Sequence, residues 1–440
     1  MTVRHSKALK YINSDLFSGL KSFRELEQRI EAIEGNKNRG DAFEVFVEAY
    51  IATQKIMQTV EVWPENTFPT SIRAKLNLPP IDMGVDGVYE HLSGDYVCYQ
   101  AKFRTGRPSL SWKELSTFFG LAESTGPRLV VTNCDKIAKT ATERSGAIFV
   151  RGIDLERLDT DNFRVIEAWI SGVQIIKGRK DPWGHQQVAI DKIVSGLSIN
   201  RRVTALMACG SGKTLVALWV AQALKPKTVL ILLPSLALIR QILHEWVSQT
   251  SWERPEFMCV CSDQSIKGEI DTLQISASDV DFSVTTDSKI AHDFLARESD
   301  SVKLVFSTYQ SSKVVAEAIK GLKPFDFGVF DEAHKTAGRE GKKFGTALID
   351  ENIPIAKRLF MTATPRHYDV RSKDKFGDAK LVFSMDDTQI YGPIVHRLTF
   401  KAAAEEEIIT NYKVIISVVT SEMVKELKRG QSIKIKVAFF

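Results

Sequence analysis

Cysteine is scarce in this chain: five among 440 residues, at positions 98, 134, 209, 259 and 261. None forms a C-x-x-C pair and no His/Cys group has zinc spacing, which excludes a disulfide scaffold and a cysteine-built zinc module. So low and odd a count points to a reducing, cytoplasmic compartment. A strong charge of one sign is also lacking. The 59 Lys and Arg against 54 Asp and Glu leave a net charge of +5, which permits nucleic-acid binding without demanding it. Long apolar runs are missing too. The longest, Val229 to Ile239, is broken by Pro234 and Ser235 and is too short to span a bilayer. The N-terminus, MTVRHSKALKYINSDLF, has no apolar core of signal-peptide length. No membrane partner is expected, and no internal repeat or low-complexity tract is present.

What the chain has is an ordinary globular balance, 44% hydrophobic and 26% charged. At roughly 150 residues per domain, its length allows about three domains or fewer. Residues 1–35 are helical and charged, with FRELEQRIEAIE as the clearest amphipathic piece, and Asn36 to Gly40 is a break. A second helix is expected from about Asp41 to Thr53. Val85–Tyr89 and Tyr96–Phe103 then flank HLSGD as a hairpin. A helix, SWKELSTFFGLAES, and two buried strands, RLVVTN and AIFVRG, complete an α/β unit ending near residue 172. After the polar linker GRKDPW, strand candidates RVTALMA, TVLILLP, FMCVCS, VKLVFST, FGVFDE and RLFMTAT alternate with helices, the pattern of a doubly wound parallel sheet. Residues 262–300, Ser/Asp-rich, are an excursion from that sheet, and the chain ends in a strand-like YKVIISVVT and a basic tail.

The sharpest motif is Met207-Ala208-Cys209-Gly210-Ser211-Gly212-Lys213-Thr214, between an expected strand and the helix LVALWVAQAL. Its glycines let backbone N–H groups curl around phosphate oxygens, and the helix N-terminus adds its positive end. Lys213 would reach the β- and γ-phosphates and Thr214 would bind Mg²⁺. About 118 residues later stands Phe330-Asp331-Glu332-Ala333-His334. Asp331 would hold Mg²⁺ and Glu332 would orient the attacking water. Together these residues resemble a superfamily 2 helicase or translocase of the DEAD/DEAH-box kind, over roughly residues 180–395.

That resemblance implies further roles. Pro182-Trp183-Gly184-His185-Gln186 is similar to the adenine-reading segment, with Gln186 on the base edge; Trp183 is either nearby or a plain interdomain packing residue. Pro234-Ser235-Leu236 and Ser307-Thr308-Tyr309-Gln310 resemble strand ends that touch nucleic-acid backbone. Met361-Thr362-Ala363-Thr364-Pro365 resembles the segment coupling ATP state to DNA grip through Thr362 and Thr364. Superfamily 2 motors have two RecA-like lobes, the second supplying arginine fingers. No Q-x-x-G-R-x-x-R run follows Pro365, and about 75 residues remain, too few for another lobe. One lobe and the start of a connection are expected, either in a truncated form or completed by another chain.

The first unit holds Asp82-Met83-Gly84-Val85-Asp86 and then Gln100-Ala101-Lys102. The hairpin would bring Asp86 beside the second strand, where Gln100 and Lys102, two apart, share a side. An acid, an oxygen donor and a lysine suit metal-assisted phosphodiester hydrolysis. This pattern resembles the Mrr-like branch of the PD-(D/E)xK nucleases over residues 40–150. The resemblance implies Asp86 as metal ligand, Gln100 and Lys102 completing the core, Glu44 as a helical glutamate, and Asp82 as an alternative or second carboxylate. A solvent-facing helix residue is the other reading of Glu44. Arg104 and Arg107 are either DNA-phosphate contacts or a solvated pair.

The combination resembles the N-terminal half of type ISP restriction–modification enzymes and related phage-defence helicases. It implies an α/β architecture: a PD-(D/E)xK nuclease-like domain at 1–172, a RecA-like doubly wound parallel sheet at 173–395, and at 396–440 a connection toward a second lobe. It also implies ATP and Mg²⁺ as cofactors, double-stranded DNA as partner, and a second RecA-like lobe with methyltransferase and target-recognition modules, in one longer chain or in others. Two other readings remain: a helicase–nuclease of DNA repair, and a non-catalytic, ATP-switched DNA-binding module.

Overall fold

The computed structural model describes residues 7–64, 67–78, 84–122, 126–144, 146–261, 279–338, 344–367, 383–410, 415–417 and 437–439. Asp82 and most of the basic tail lie outside them.

Two large sheets organise the described residues, beside a small two-stranded one pairing Ile415–Ser417 with Val437–Phe439. The first has five strands: β1 (Thr59–Pro64), β2 (Gly87–His91), β3 (Tyr96–Lys102), β4 (Arg128–Thr132) and β5 (Ile148–Val150), in the order β1-β2-β3-β4-β5. Its first three strands pair antiparallel and its last two join in parallel. The hairpin expected around HLSGD is there, with Gly87 opposite Tyr99. The Tyr99 ring lies across Gly87 so closely that a Cβ there would come within 2.3 Å of it. β1 was not anticipated. Its mix of half-buried and exposed positions, its terminal Pro64 and its place at the end of the sheet make it an edge strand.

The expected break at Asn36 to Gly40 is part of one helix, Asn36–Thr53. The break falls one residue earlier, at Gly35, whose φ of +86° favours glycine. Gly40 costs a helix interior about 1 kcal/mol, which burial of Phe43, Phe46, Val47, Tyr50 and Ile51 exceeds.

The second sheet is wholly parallel, with eight strands: β6 (Arg202–Met207), β7 (Thr228–Leu233), β8 (Glu256–Val260), β9 (Val284–Thr285), β10 (Lys303–Thr308), β11 (Phe325–Phe330), β12 (Ile355–Thr362) and β13 (Ile394–Leu398). The order is β13-β6-β12-β11-β7-β10-β8-β9, the doubly wound arrangement of a RecA-like lobe. All six expected strands are present. β9 and the helix Ser288–Ala296 emerge from the segment expected to be an excursion, while β13 runs on to Leu398, past the expected boundary at 395. Residues 173–183 carry no regular structure, as the GRKDPW linker suggested.

The two sheets share one apolar core. Phe43, Phe46 and Tyr50 from the first region and Trp246, Phe257 and Phe306 from the second belong to a single buried cluster. Polar contacts seal the seam. Buried Gln58 donates to the Phe257 carbonyl at 3.3 Å and accepts from the Phe257 N–H at 2.8 Å. Arg240, buried in the second region, pairs with Asp154 of the first and lies 3.7 Å from Asp281. Asp281 also meets His244 Nε2 at 2.9 Å. Burial opposes charge on Asp281, but His244 and Arg240 hold its carboxyl below the usual range.

No helix among the described residues is long and apolar enough to cross a membrane.

Candidate functional site

At the carboxyl end of β6 the chain turns through Gly210 and Gly212, at φ +85° and +83°, into the helix Lys213–Leu224. These left-handed residues aim successive N–H groups at one point, beside the positive end of the helix. Lys213 is nearly buried. Its Nζ lies 3.5 Å from the Met207 carbonyl, 3.8 Å from Cys209 Sγ and 4.0 Å from Glu332 Oε1.

Asp331 and Glu332 follow β11, two strands away. Asp331 is held by its backbone: its N–H donates to Leu232 O at 3.0 Å, and Tyr309 Oη donates to its carbonyl at 2.7 Å. Its Oδ1 is buried with no hydrogen-bond partner. Burial, with Glu332 beside it, raises the Asp331 carboxyl to about 6. A buried carboxylate oxygen without a donor is what a divalent cation would satisfy, so Asp331 fits Mg²⁺. Glu332 has φ +49°, a conformation costing a non-glycine residue about 1–2 kcal/mol. That turn presents its carboxylate to Lys213 and to His334 Nδ1, 3.2 Å from Oε2. The His334 contact holds Glu332 below its ordinary value.

The other sequence-predicted residues are placed less as expected. Gln186 is buried beneath the loop. Its Oε1 accepts the Trp183 N–H at 2.9 Å and its Nε2 donates to Ser211 O at 3.2 Å. A Cβ on Gly212 would meet that Nε2 at 2.2 Å, so Gln186 braces the loop rather than facing outward. Trp183 is 66% exposed, not an interdomain packing residue. Ser235 caps the helix Leu236–Gln249 by accepting from the Leu238 N–H at 3.4 Å, with Pro234 just before it. The hydroxyls of Ser307 and Thr308 are buried and donate internally, to Thr308 O and Ser311 Oγ, both at 3.0 Å. In this arrangement they offer nothing to a DNA phosphate. Thr362 is buried and its Oγ1 accepts the Thr364 N–H at 3.2 Å, while Thr364 is exposed. Thr214 is half-buried, its carbonyl bonded by Trp246 Nε1 at 3.0 Å.

In the first sheet, Asp86 stands immediately before β2. Its Oδ2 accepts the Ala101 N–H at 2.7 Å, fixing the carboxylate between Gln100 and Lys102. Gln100 is 2% exposed. Its Nε2 donates to Gly84 O at 2.7 Å, while its Oε1 is buried without a hydrogen-bond partner. That oxygen fits a hard cation beside Asp86. Among the described residues, however, no three His, Cys, Asp or Glu side chains stand together as a metal cluster. Glu44 is engaged by Lys7 Nζ at 2.6 Å, which also reaches Asp41 at 2.8 Å. Glu48, one helical turn on, was missed by the sequence reading, although its i+4 spacing from Glu44 puts both on one helix face. It is buried. Burial raises the Tyr99 hydroxyl well above its usual range, and the charges of Glu48, Asp86 and Glu44 add to that. Arg104 and Arg107 are neither a solvated pair nor poised for phosphate. Arg104 pairs with Glu114 at 2.8 Å, and Arg107 with Glu27 at 2.7 Å and Glu156 at 2.8 Å.

A parallel sheet with a glycine phosphate loop after one strand and an acidic pair after another makes a RecA-like nucleotide-binding lobe, like those of superfamily 2 helicases. Residues 179–367 match the family model described as the type III restriction enzyme res subunit. The chain is similar to type ISP restriction–modification enzymes. It shares 30% identity with the structure described as the ATP-dependent type ISP restriction–modification enzyme LlaBIII bound to DNA, with a TM-score of 0.69 over 88% of this chain and 26% of that one. The probable helicase A859L of African swine fever virus is 28% identical over 234 residues, 52% of this chain and 23% of the viral protein. Another isolate's copy is 30% identical over 200 residues, 44% of this chain and 21% of the viral protein. The chain thus spans about a quarter of the length of the relatives it matches.

Proposed function

We propose that this chain carries the first ATPase lobe of an ATP-driven translocase on double-stranded DNA, joined to a Mg²⁺-dependent endonuclease, in the service of restriction or phage defence. The observation that carries the motor half is the meeting of Lys213 with Glu332 beside the unpartnered Asp331 oxygen. Lys213 and the N–H groups of Gly210 to Thr214 would bind the β- and γ-phosphates. Thr214 and Asp331 would hold Mg²⁺, which when bound neutralises charge on the phosphate oxygens. Glu332, steadied by His334, orients water in line with the γ-phosphate and takes its proton. Arginine fingers from a second lobe would raise turnover by about 10³–10⁵. Ser235 with Pro234 and the exposed Thr364 lie at strand ends on the side where a DNA backbone would run.

The nuclease half is supported by Asp86 at the start of β2 and the unpartnered Gln100 Oε1 on the adjoining β3, with Lys102 two residues on. Asp86 and Gln100 would hold Mg²⁺, and Lys102 would steer the water or stabilise the developing charge. The similarity to LlaBIII covers 88% of the chain, so it extends beyond the second sheet. Methyltransferase and target-recognition modules, in a longer chain or in others, would supply sequence recognition, and the compartment would be the cytoplasm.

The test is binding and cleavage by this chain in Mg²⁺. Lys213→Ala should lose ATP binding yet keep nicking of duplex DNA; Lys102→Ala should do the reverse. Retained ATP binding in Lys213→Ala would refute the motor half. Nicking that survives Lys102→Ala would refute the nuclease half.

A further inference from the structure

The N-terminal segment reaches over the helix that borders the first sheet. Its own short helix, Ala8–Ile12, buries Ala8 and Tyr11 in the core. Tyr11 Oη donates to the Asn38 carbonyl at 2.8 Å and Lys10 Nζ to Asn38 Oδ1 at 2.8 Å, so the segment is pinned on the first turn of the helix Asn36–Thr53. That anchoring sets Lys7 over the next turns. Its ammonium meets Asp41 Oδ1 at 2.8 Å and Glu44 Oε2 at 2.6 Å, at the end of a side chain that is 35% exposed.

The same stretch of helix packs on the end of β3. The Phe43 ring lies 5.5 Å from that of Phe103, the residue after Lys102. The charges of Glu44 and Asp86 both act on the Tyr99 hydroxyl. Glu44 thus borders the place where Asp86 and Gln100 come together. Yet the carboxylates do not converge, since no three acidic side chains stand together among the described residues. Asp86 is fixed through the Ala101 N–H, whereas Glu44 is engaged by Lys7. Two parts of a hard-cation site are in place, the Asp86 carboxylate and the buried, unpartnered Gln100 Oε1. A third carboxylate is held by a lysine.

An ammonium bonded to a carboxylate oxygen competes with a divalent cation for that oxygen. A pair this exposed is held weakly and exchanges for a stronger partner. Lysine carries its charge on a flexible stem, and a DNA phosphate offers it such a partner. We propose, resting on the nuclease reading above, that Lys7 is a gate on the nuclease. It holds Glu44 while DNA is absent, and the phosphate backbone of duplex DNA draws the ammonium away, freeing Glu44 to join Asp86 and Gln100. The metal site is therefore completed by its own substrate. DNA and the cation strengthen each other's binding by the same factor, and the chain without DNA keeps a half-built site.

The test uses the 440-residue chain without nucleotide, with Ca²⁺ as the probe because it takes the same oxygen donors. By calorimetry, a short duplex should raise Ca²⁺ affinity about tenfold, the scale of one partly screened charge pair. Lys7→Gln should show most of that affinity without DNA. Lys7→Arg, which keeps the cation, should behave as the parent chain, and in Glu44→Gln the gain from DNA should vanish. A second readout needs no metal. Acetylation of Lys7, followed by mass spectrometry, should be faster in Glu44→Gln and slowed in the parent chain by duplex DNA. Equal Ca²⁺ affinity of Lys7→Gln and parent without DNA, or no protection of Lys7 by DNA, would overturn the gate while leaving Asp86 and Gln100 in their roles. Ca²⁺ binding that survives Asp86→Asn would refute the nuclease reading itself, and the gate with it.

Discussion

His334 Nδ1 lies 2.9 Å from Thr362 Oγ1. The same nitrogen faces Glu332, so one imidazole joins the residue that would activate water to the strand end that would sense DNA. A single N–H cannot serve both partners fully, and a hydroxyl can donate as well as accept. The contact is therefore a junction whose preference can shift with the charge on Glu332. His334→Ala should leave ATP affinity within about threefold while DNA-stimulated turnover falls by about tenfold or more, the pattern of an interaction made beyond ground-state binding. Stopped-flow nucleotide binding together with turnover on duplex DNA, in a form that contains both lobes, checks both halves.

Asp331→Asn should separate stability from function. The carboxyl is buried with an unpartnered oxygen, so a neutral isostere relieves the cost of burying charge. Thermal melting without Mg²⁺ should show equal or higher stability than the parent chain. Mg²⁺-dependent ATP turnover should fall by roughly a hundredfold or more, since the metal loses a charged ligand.

At the seam between the sheets, Arg240→Ala would leave buried Asp154 without its cation and Asp281 with His244 as its remaining partner. Breaking such a pair from one side costs about 3–5 kcal/mol. Adding Asp154→Asn should recover part of the loss, and a double-mutant cycle from denaturant melts reads the coupling.

These contacts also mark how far the chain could be understood before its structure was seen. The phosphate loop and Asp331-Glu332 were legible because each is contiguous, with chemistry that requires those residue types in that order. Asp86 beside Gln100 and Lys102 was legible because a short hairpin brings them together. What escaped depends on distant partners. Gln58 on the backbone of β8, Arg240 on Asp154, and Lys7 on Glu44 leave no local pattern. Gln186 and Ser307 show the converse: motif residues whose polar atoms face inward, which spacing alone does not reveal.

Stability should also depend on acidity through His91. Burial lowers this imidazole from 6.5 to about 4. The unfolded chain therefore takes up a proton that the folded chain refuses. The folded state is fully favoured above pH 6.5 and loses ground as pH falls from there through about 4. Urea melts of the parent chain and His91→Gln across pH 4 to 7 should show the variant with the shallower decline.

Tyr50, Trp246 and Gln58 weld the two sheets into one body. A stroke powered at Lys213, as proposed, would then be delivered elsewhere, because among the described residues the phosphate loop and Asp86 stand on one shared core. Were the proposed motor and nuclease to act together on a DNA track, the chain would behave as a ruler: the length of duplex between the point of traction and the point of scission would be set by the dimensions of the protein and would stay constant from step to step.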